Sequence, residues 1–162
     1  MIKSFIVFLF SFSLLFSAQN NLIDTDGDLI PNVEDKCPNT PDGVFINRKG
    51  CTQKLVKTIN FEHASSIVPF DNKDKVLDML EIAKEGFGYK ILIEGHTDST
   101  ADAYTNIVLS KKRVYTIYNR IINSGIDKKR IEMKWYGETM PIATNIAEDG
   151  RKLNRRVTIT FK

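Results

Sequence analysis

A stretch of about twenty residues, from Tyr104 to Asn123, sets the first limit on what this chain can become. Ile107, Val114, Ile117, Tyr118, Ile121 and Ile122 recur at steps of three and four, which lines them along one face of a helix, and Ser124-Gly125 supply its stop. A helix apolar on one side only must lay that side against another element. The flanking segments provide one. Tyr89 to Glu94 is a short, largely apolar run ending at Gly95, and Ile131, Met133 and Trp135 alternate as strand residues do. Upstream, Leu55, Ile59 and Phe61 hold alternate positions, with the polar Lys57 between them. Val76, Leu77, Leu80, Ala83 and Phe87 follow at helical spacing, with Asp71 as the expected cap and Gly86 and Gly88 at the end. Val157, Ile159 and Phe161 form a last strand. Residues 54–162 thus predict an α/β fold in the order β-α-β-α-β-β, an α+β sandwich with its helices on one face of a mixed four-stranded sheet.

Residues 1–18 read as a secretory signal peptide. Lys3 precedes an apolar run from Phe5 to Phe16 broken only by serines, and small Ser17 and Ala18 lead into polar Gln19-Asn20-Asn21. The run is shorter than the roughly 20 residues a membrane span needs. Phe16 is bulky where the cleavage site prefers a small residue, so the alternative is a retained anchor, as in a stator or assembly component of a membrane. Export also sets the redox context. Cys37 and Cys51, the only cysteines, are expected to form a disulfide rather than stay as free thiols. A net charge of +3, from 23 basic and 20 acidic residues without a basic–aromatic cluster, argues against a nucleic-acid partner.

Residues 22–53 are rich in Asp, Asn, Pro and Gly and too poor in apolar residues to build a core. Asp24, Asp26 and Asp28 alternate, and Asp35 follows at the twelfth position counted from Asp24. With the Ile30 carbonyl at the seventh, the spacing suits a hard cation that takes six to eight oxygens, and calcium is the expected cofactor. Leu29 occupies the position that an EF-hand loop gives to glycine, so the match to that loop is incomplete. The run Asp24-Thr25-Asp26-Gly27-Asp28, followed by Asp35-Lys36-Cys37-Pro38, is similar instead to one thrombospondin type-3-like calcium repeat. A solvated acidic linker is the plainer alternative.

The segment Ile93-Glu94-Gly95-His96-Thr97-Asp98-Ser99 leads toward the long helix, which carries Asn106, Leu109-Ser110 and Arg113. Asn106 and Arg113 share a helix face, and Asp98 lies in the loop after the second strand, where α/β folds often place ligands. A carboxylate and a guanidinium a few ångströms apart suit a zwitterion, though the same two groups can simply pair with each other. These residues, with Tyr136-Gly137-Glu138, Pro141-Ile142-Ala143, Gly150-Arg151 and Asn154-Arg155-Arg156-Val157, resemble the OmpA-like peptidoglycan-binding domain over residues 54–162. That resemblance implies non-covalent binding of the diaminopimelate of peptidoglycan stem peptides. Asp98 and Arg113 would grip it, Asn106 would complete the clamp and Leu109 would pack. It also implies a periplasmic protein associated with the outer membrane, which tethers the outer envelope to the cell wall and has outer-membrane proteins as further partners. The chain departs from the family shortly after Thr97-Asp98, where a glycine is usual and this chain reads Ser99-Thr100-Ala101-Asp102, and at Val114, where alanine is common.

Glu94, His96 and Asp98 alternate and face one way in a strand, as a metal or acid–base site would require. His63 is the only other histidine, and neither a Gly-x-Ser-x-Gly nor a His-Glu-x-x-His pattern occurs. No catalysis and no small-molecule substrate are expected.

Overall fold

The structure, a computed structural model, describes residues 23–162; the expected signal peptide lies outside them. It divides into two compact units, one holding residues through Asp42 together with Ile46–Thr52, the other Gly43–Phe45 together with Gln53–Lys162.

The larger unit runs β1 (Leu55–Asn60), a 3-10 turn (Phe70–Asn72), α1 (Lys73–Glu85), β2 (Ile91–His96) and α2 (Ala103–Asn123). After a second 3-10 turn (Lys128–Arg130) come β3 (Ile131–Gly137), α3 (Glu148–Asn154) and β4 (Arg156–Phe161). The strands form one sheet in the order β1-β4-β2-β3. The last strand inserts between the first two, antiparallel to both, and β2 runs parallel to β3. Along β1 the register runs from Leu55 opposite Phe161 to Asn60 opposite Arg156. This is the expected mixed sheet of four strands. Ile59, Ile91, Ile93, Val157, Ile159 and Phe161 are fully buried in one core with Ile117 and Ile121 of α2. Each such side chain contributes about 1.5–3 kcal/mol of transfer free energy.

The long helix starts one residue before its expected position because Asp102 caps it, its carboxylate accepting from the Thr105 N–H at 3.0 Å. Gly95 lets this helix approach the sheet: a Cβ there would lie 2.5 Å from the Ser110 carbonyl oxygen and 2.6 Å from a Val114 methyl.

Three expectations are corrected. Asp71 does not cap α1; it lies in the 3-10 turn, and Asn72 holds the cap position without capping. The buried Asn72 amide instead donates to the Asn60 carbonyl at 2.9 Å and closes the end of β1. On α1 the inward face is Val76, Met79 and Ala83, which leaves Leu77 and Phe87 exposed. The short α3 is an additional element. It has no apolar stripe, and polar contacts hold it: Asn154, fully buried, accepts from the Ile142 and Ala143 N–H groups and donates to the Ala143 carbonyl.

In the smaller unit Cys37 and Cys51 form the expected disulfide, and a β-bridge joins Ile46 to Thr52. The Thr40 hydroxyl lies within hydrogen-bond reach of the Cys37 and Gly50 carbonyls. Among the described residues no helix is long and apolar enough to cross a membrane.

Candidate functional site

The ends of β1 and β2 and the start of α2 enclose a cavity of about 270 Å³, lined by His63, Asp98, Thr100, Asn106, Leu109 and Lys112 among others. Asp98, one of these lining residues, is only 3 % exposed. Its Oδ1 accepts from the Thr100 N–H at 3.2 Å and from the Thr100 hydroxyl at 2.5 Å, and its Oδ2 from Arg155 Nη1 at 2.9 Å. Burial pushes this carboxyl upward, but the hydrogen bonds from Thr100 and Arg155 outweigh burial and hold it below its ordinary value, so it is ionised at neutral pH.

Asn106 sits in the first turns of α2, almost fully buried. Its amide donates to the Ala101 carbonyl at 2.9 Å and to Glu138, which ties the loop before the helix to the loop after β3. The carbonyl oxygen of the same side chain remains as an acceptor. Leu109 supplies an apolar wall.

Arg113 is where the structure departs from the expected open clamp. Its guanidinium is sealed from solvent and does not line the cavity. Nε donates to the Ser65 carbonyl, Nη1 to that of His96 and Nη2 to that of Glu62, at 2.8, 2.8 and 3.0 Å, and the group lies 5.2 Å from the centre of the Phe61 ring. Burial lowers its pKa to about 10 while the Asp98 charge opposes that shift, so Asp98 and Arg113 do sense each other. The ion-pair partner of Asp98 is nevertheless Arg155, which is 2 % exposed in its side chain and also bonds Glu148 at 2.7 Å. In the sequence Arg155 figured only within the run Asn154-Arg155-Arg156-Val157, without a part in the site. The sequence reading also missed His63 and Lys112, whose positions carry no periodic signal.

Glu94 and His96 do not join Asp98 in an acid–base group. His96 stacks on Tyr136 with ring centroids 5.3 Å apart, and Tyr136 donates to Glu94 at 3.1 Å. Burial, assisted by the Arg156 charge, lowers the His96 pKa to about 4 and keeps the imidazole neutral.

In the smaller unit, ligand atoms of Asp24, Asp26 and Asp28 lie within 4.8 Å of one another. Asp26, Asp28 and Asp35 share a pattern. One oxygen of each accepts a backbone N–H, from Thr40, Ile30 and Cys37 respectively, while the other is buried without a partner. Gly50 lies against two of these groups, since a Cβ there would meet Asp35 Oδ1 at 2.0 Å and Asp28 Oδ2 at 2.8 Å. Leu29 takes φ 71°, the left-handed conformation that a glycine would supply at that position of the loop. Unpartnered anionic oxygens in a buried cluster are costly without a cation, so this donor set fits a hard divalent ion.

A family model described as the OmpA family matches residues 60–155. The chain is 32% identical to outer membrane porin F of Pseudomonas aeruginosa over 141 residues, 83% of this chain and 40% of that protein. It is 29% identical to the peptidoglycan-associated lipoprotein of Pseudomonas aeruginosa over 109 residues, 65% of this chain and 62% of that protein. The chain therefore spans less than two thirds of either relative. The crystal structure of the peptidoglycan-associated lipoprotein from Burkholderia pseudomallei shares the fold with a TM-score of 0.62 at 22% identity, over 65% of this chain and 90% of that one.

Proposed function

The chain belongs to the OmpA family, and from that premise we propose that it binds peptidoglycan non-covalently in the periplasm and tethers the outer envelope to the cell wall. A relative bearing the name peptidoglycan-associated lipoprotein supports this reading. The observation that carries it is a buried carboxylate, Asp98, that lines one cavity with Asn106 and the apolar Leu109 while Thr100 and Arg155 hydrogen-bond it. The ligand group it suits is the zwitterionic end of diaminopimelate in a stem peptide. Asp98 takes the ammonium, and Asn106 contributes its carbonyl oxygen. The carboxylate meets the charge of Lys112 at the cavity and that of Arg113 behind the wall, while Leu109 covers the methylene chain.

The site binds and does not react. The Thr100 hydroxyl gives its proton to Asp98, and Asp98 is paired with Arg155, which leaves their remaining lone pairs to accept hydrogen bonds from a ligand.

Calcium is the cation proposed for Asp24, Asp26, Asp28 and Asp35. When bound it would supply positive charge to the three buried, unpartnered oxygens and order a segment that lacks a core. Outer-membrane proteins are proposed as further partners.

Co-sedimentation with sacculi containing diaminopimelate tests the main reading. The wild type is expected in the pellet and Asp98→Asn in the supernatant, with circular dichroism confirming that the variant is folded. A wild type that stays in the supernatant would overturn it.

A further inference from the structure

The loop after β1 does three things within four residues. Glu62 and Ser65 turn their carbonyls onto Arg113. Between them Ala64 adopts φ 51°, a left-handed conformation that disfavours any side chain and recurs at ligand clamps. His63 reaches across to the loop after β2, its Nε2 lying 3.1 Å from the Thr100 hydroxyl.

The direction of each proton in this chain of contacts follows from the groups themselves. An ionised carboxylate can only accept, so the Thr100 hydroxyl, 2.5 Å from Asp98 Oδ1, gives its proton to Asp98. Thr100 can then only accept from the imidazole, which assigns a proton to His63 Nε2. One lone pair of the hydroxyl oxygen is left. Asp98 has used three of its roughly four acceptor sites on the Thr100 N–H, the Thr100 hydroxyl and Arg155. Asn106 has used both amide hydrogens and keeps its oxygen. Asp98, Thr100 and Asn106 therefore offer one acceptor each around a single cavity, matching the three hydrogens of a primary ammonium.

We infer that His63 is the positioning residue of this ammonium site: its hydrogen bond holds the Thr100 hydroxyl with the proton on Asp98 and the open lone pair available to the ligand. The inference rests on the peptidoglycan reading and deepens it, because it makes the free side-chain amine of the stem residue the group that is read. The strained Ala64 keeps the loop shape that lets His63 reach Thr100 while its neighbours wrap Arg113.

The test uses the exported chain and two probes in isothermal titration calorimetry. One is the tripeptide L-Ala-γ-D-Glu-meso-diaminopimelate, and the other is the same peptide acetylated on its side-chain amine. His63→Phe is expected to weaken binding of the free amine about tenfold, the effect of losing one hydrogen bond in a charged site. His63→Gln, which restores an N–H donor, is expected to stay within about threefold of wild type. Wild type and both variants are expected to bind the acetylated peptide weakly and equally. Undiminished binding by His63→Phe, an equal loss in His63→Gln, or the same loss against both peptides would overturn the inference and leave peptidoglycan binding standing. A wild type that binds neither the free tripeptide nor sacculi would remove both.

Discussion

Asp98 and Arg155, 57 residues apart in the chain, meet at 2.9 Å with both side chains at most 5 % exposed, so the anion at the cavity carries its counter-charge on the side of the protein. A buried pair of this kind is more costly to break than to lack. Asp98→Asn leaves Arg155 buried with Glu148 as its remaining charged partner, and a loss of about 3 kcal/mol is expected by urea denaturation at pH 7. The folded-state pKa of Asp98 lies below its ordinary 3.8. The unfolded chain therefore takes up the proton first as pH falls, and the pair's contribution is full above about pH 4 and lost below it. The gap between wild type and variant is expected to narrow only in that acidic range.

His96 sets a second, milder window. Its pKa falls from 6.5 in the unfolded chain to about 4 when folded. The unfolded state binds the extra proton between those values, so stability is full above pH 6.5 and declines toward pH 4, by about 3 kcal/mol in all. His96→Phe, which keeps a ring against Tyr136, is expected to flatten this slope in denaturation curves measured at pH 7, 5.5 and 4.5.

Gly95→Ala tests the close contact between helix and sheet. The added methyl would enter space 2.5 Å from the Ser110 carbonyl, where backbone rather than a flexible side chain must yield. A loss of about 2–3 kcal/mol is expected, read as a lower melting temperature.

The acidic cluster makes a prediction with two signs. Asp28→Asn removes one of several crowded carboxylates, so in chelator the variant is expected to resist proteolysis within residues 23–53 at least as well as wild type. With calcium added, wild type is expected to gain protection and the variant little. Equal responses to calcium would leave the segment without a cation site. Reducing Cys37–Cys51, whose sequence separation is 14, is expected to destabilise the same unit by about 3 kcal/mol.

The sheet and α2 were readable because their signal is apolar periodicity, and Ile93, Val114, Ile117 and Ile159 turn inward as their spacing requires. The start of α1 and the whole of α3 were not, because amides hold them. Asn72 and Asn154 look like surface residues in a sequence, yet each is buried to satisfy backbone groups. The site divides in the same way. Asp98, Asn106 and Leu109 lie near one another along the chain and reach the cavity, whereas Arg155 stands 57 residues from Asp98 and His63 37 residues from Thr100, and no local pattern reports such meetings. Arg113 lies on α2 with Asn106 as the spacing requires, but its burial depends on three carbonyls from β2 and the loop after β1, which spacing along α2 cannot reveal.

The register of β1 against β4 carries a mechanical consequence. Strand β1 begins at Leu55, opposite Phe161, while the cavity lies past its other end, beyond Asn60 and His96. On the proposed reading, a pull between a wall-held ligand and Leu55, taken along the strand axis, is carried by this register. It shears the whole β1–β4 ladder, about 20 Å of it, at once instead of peeling it bond by bond. On the proposed reading, this register favours load along the strands over load across them.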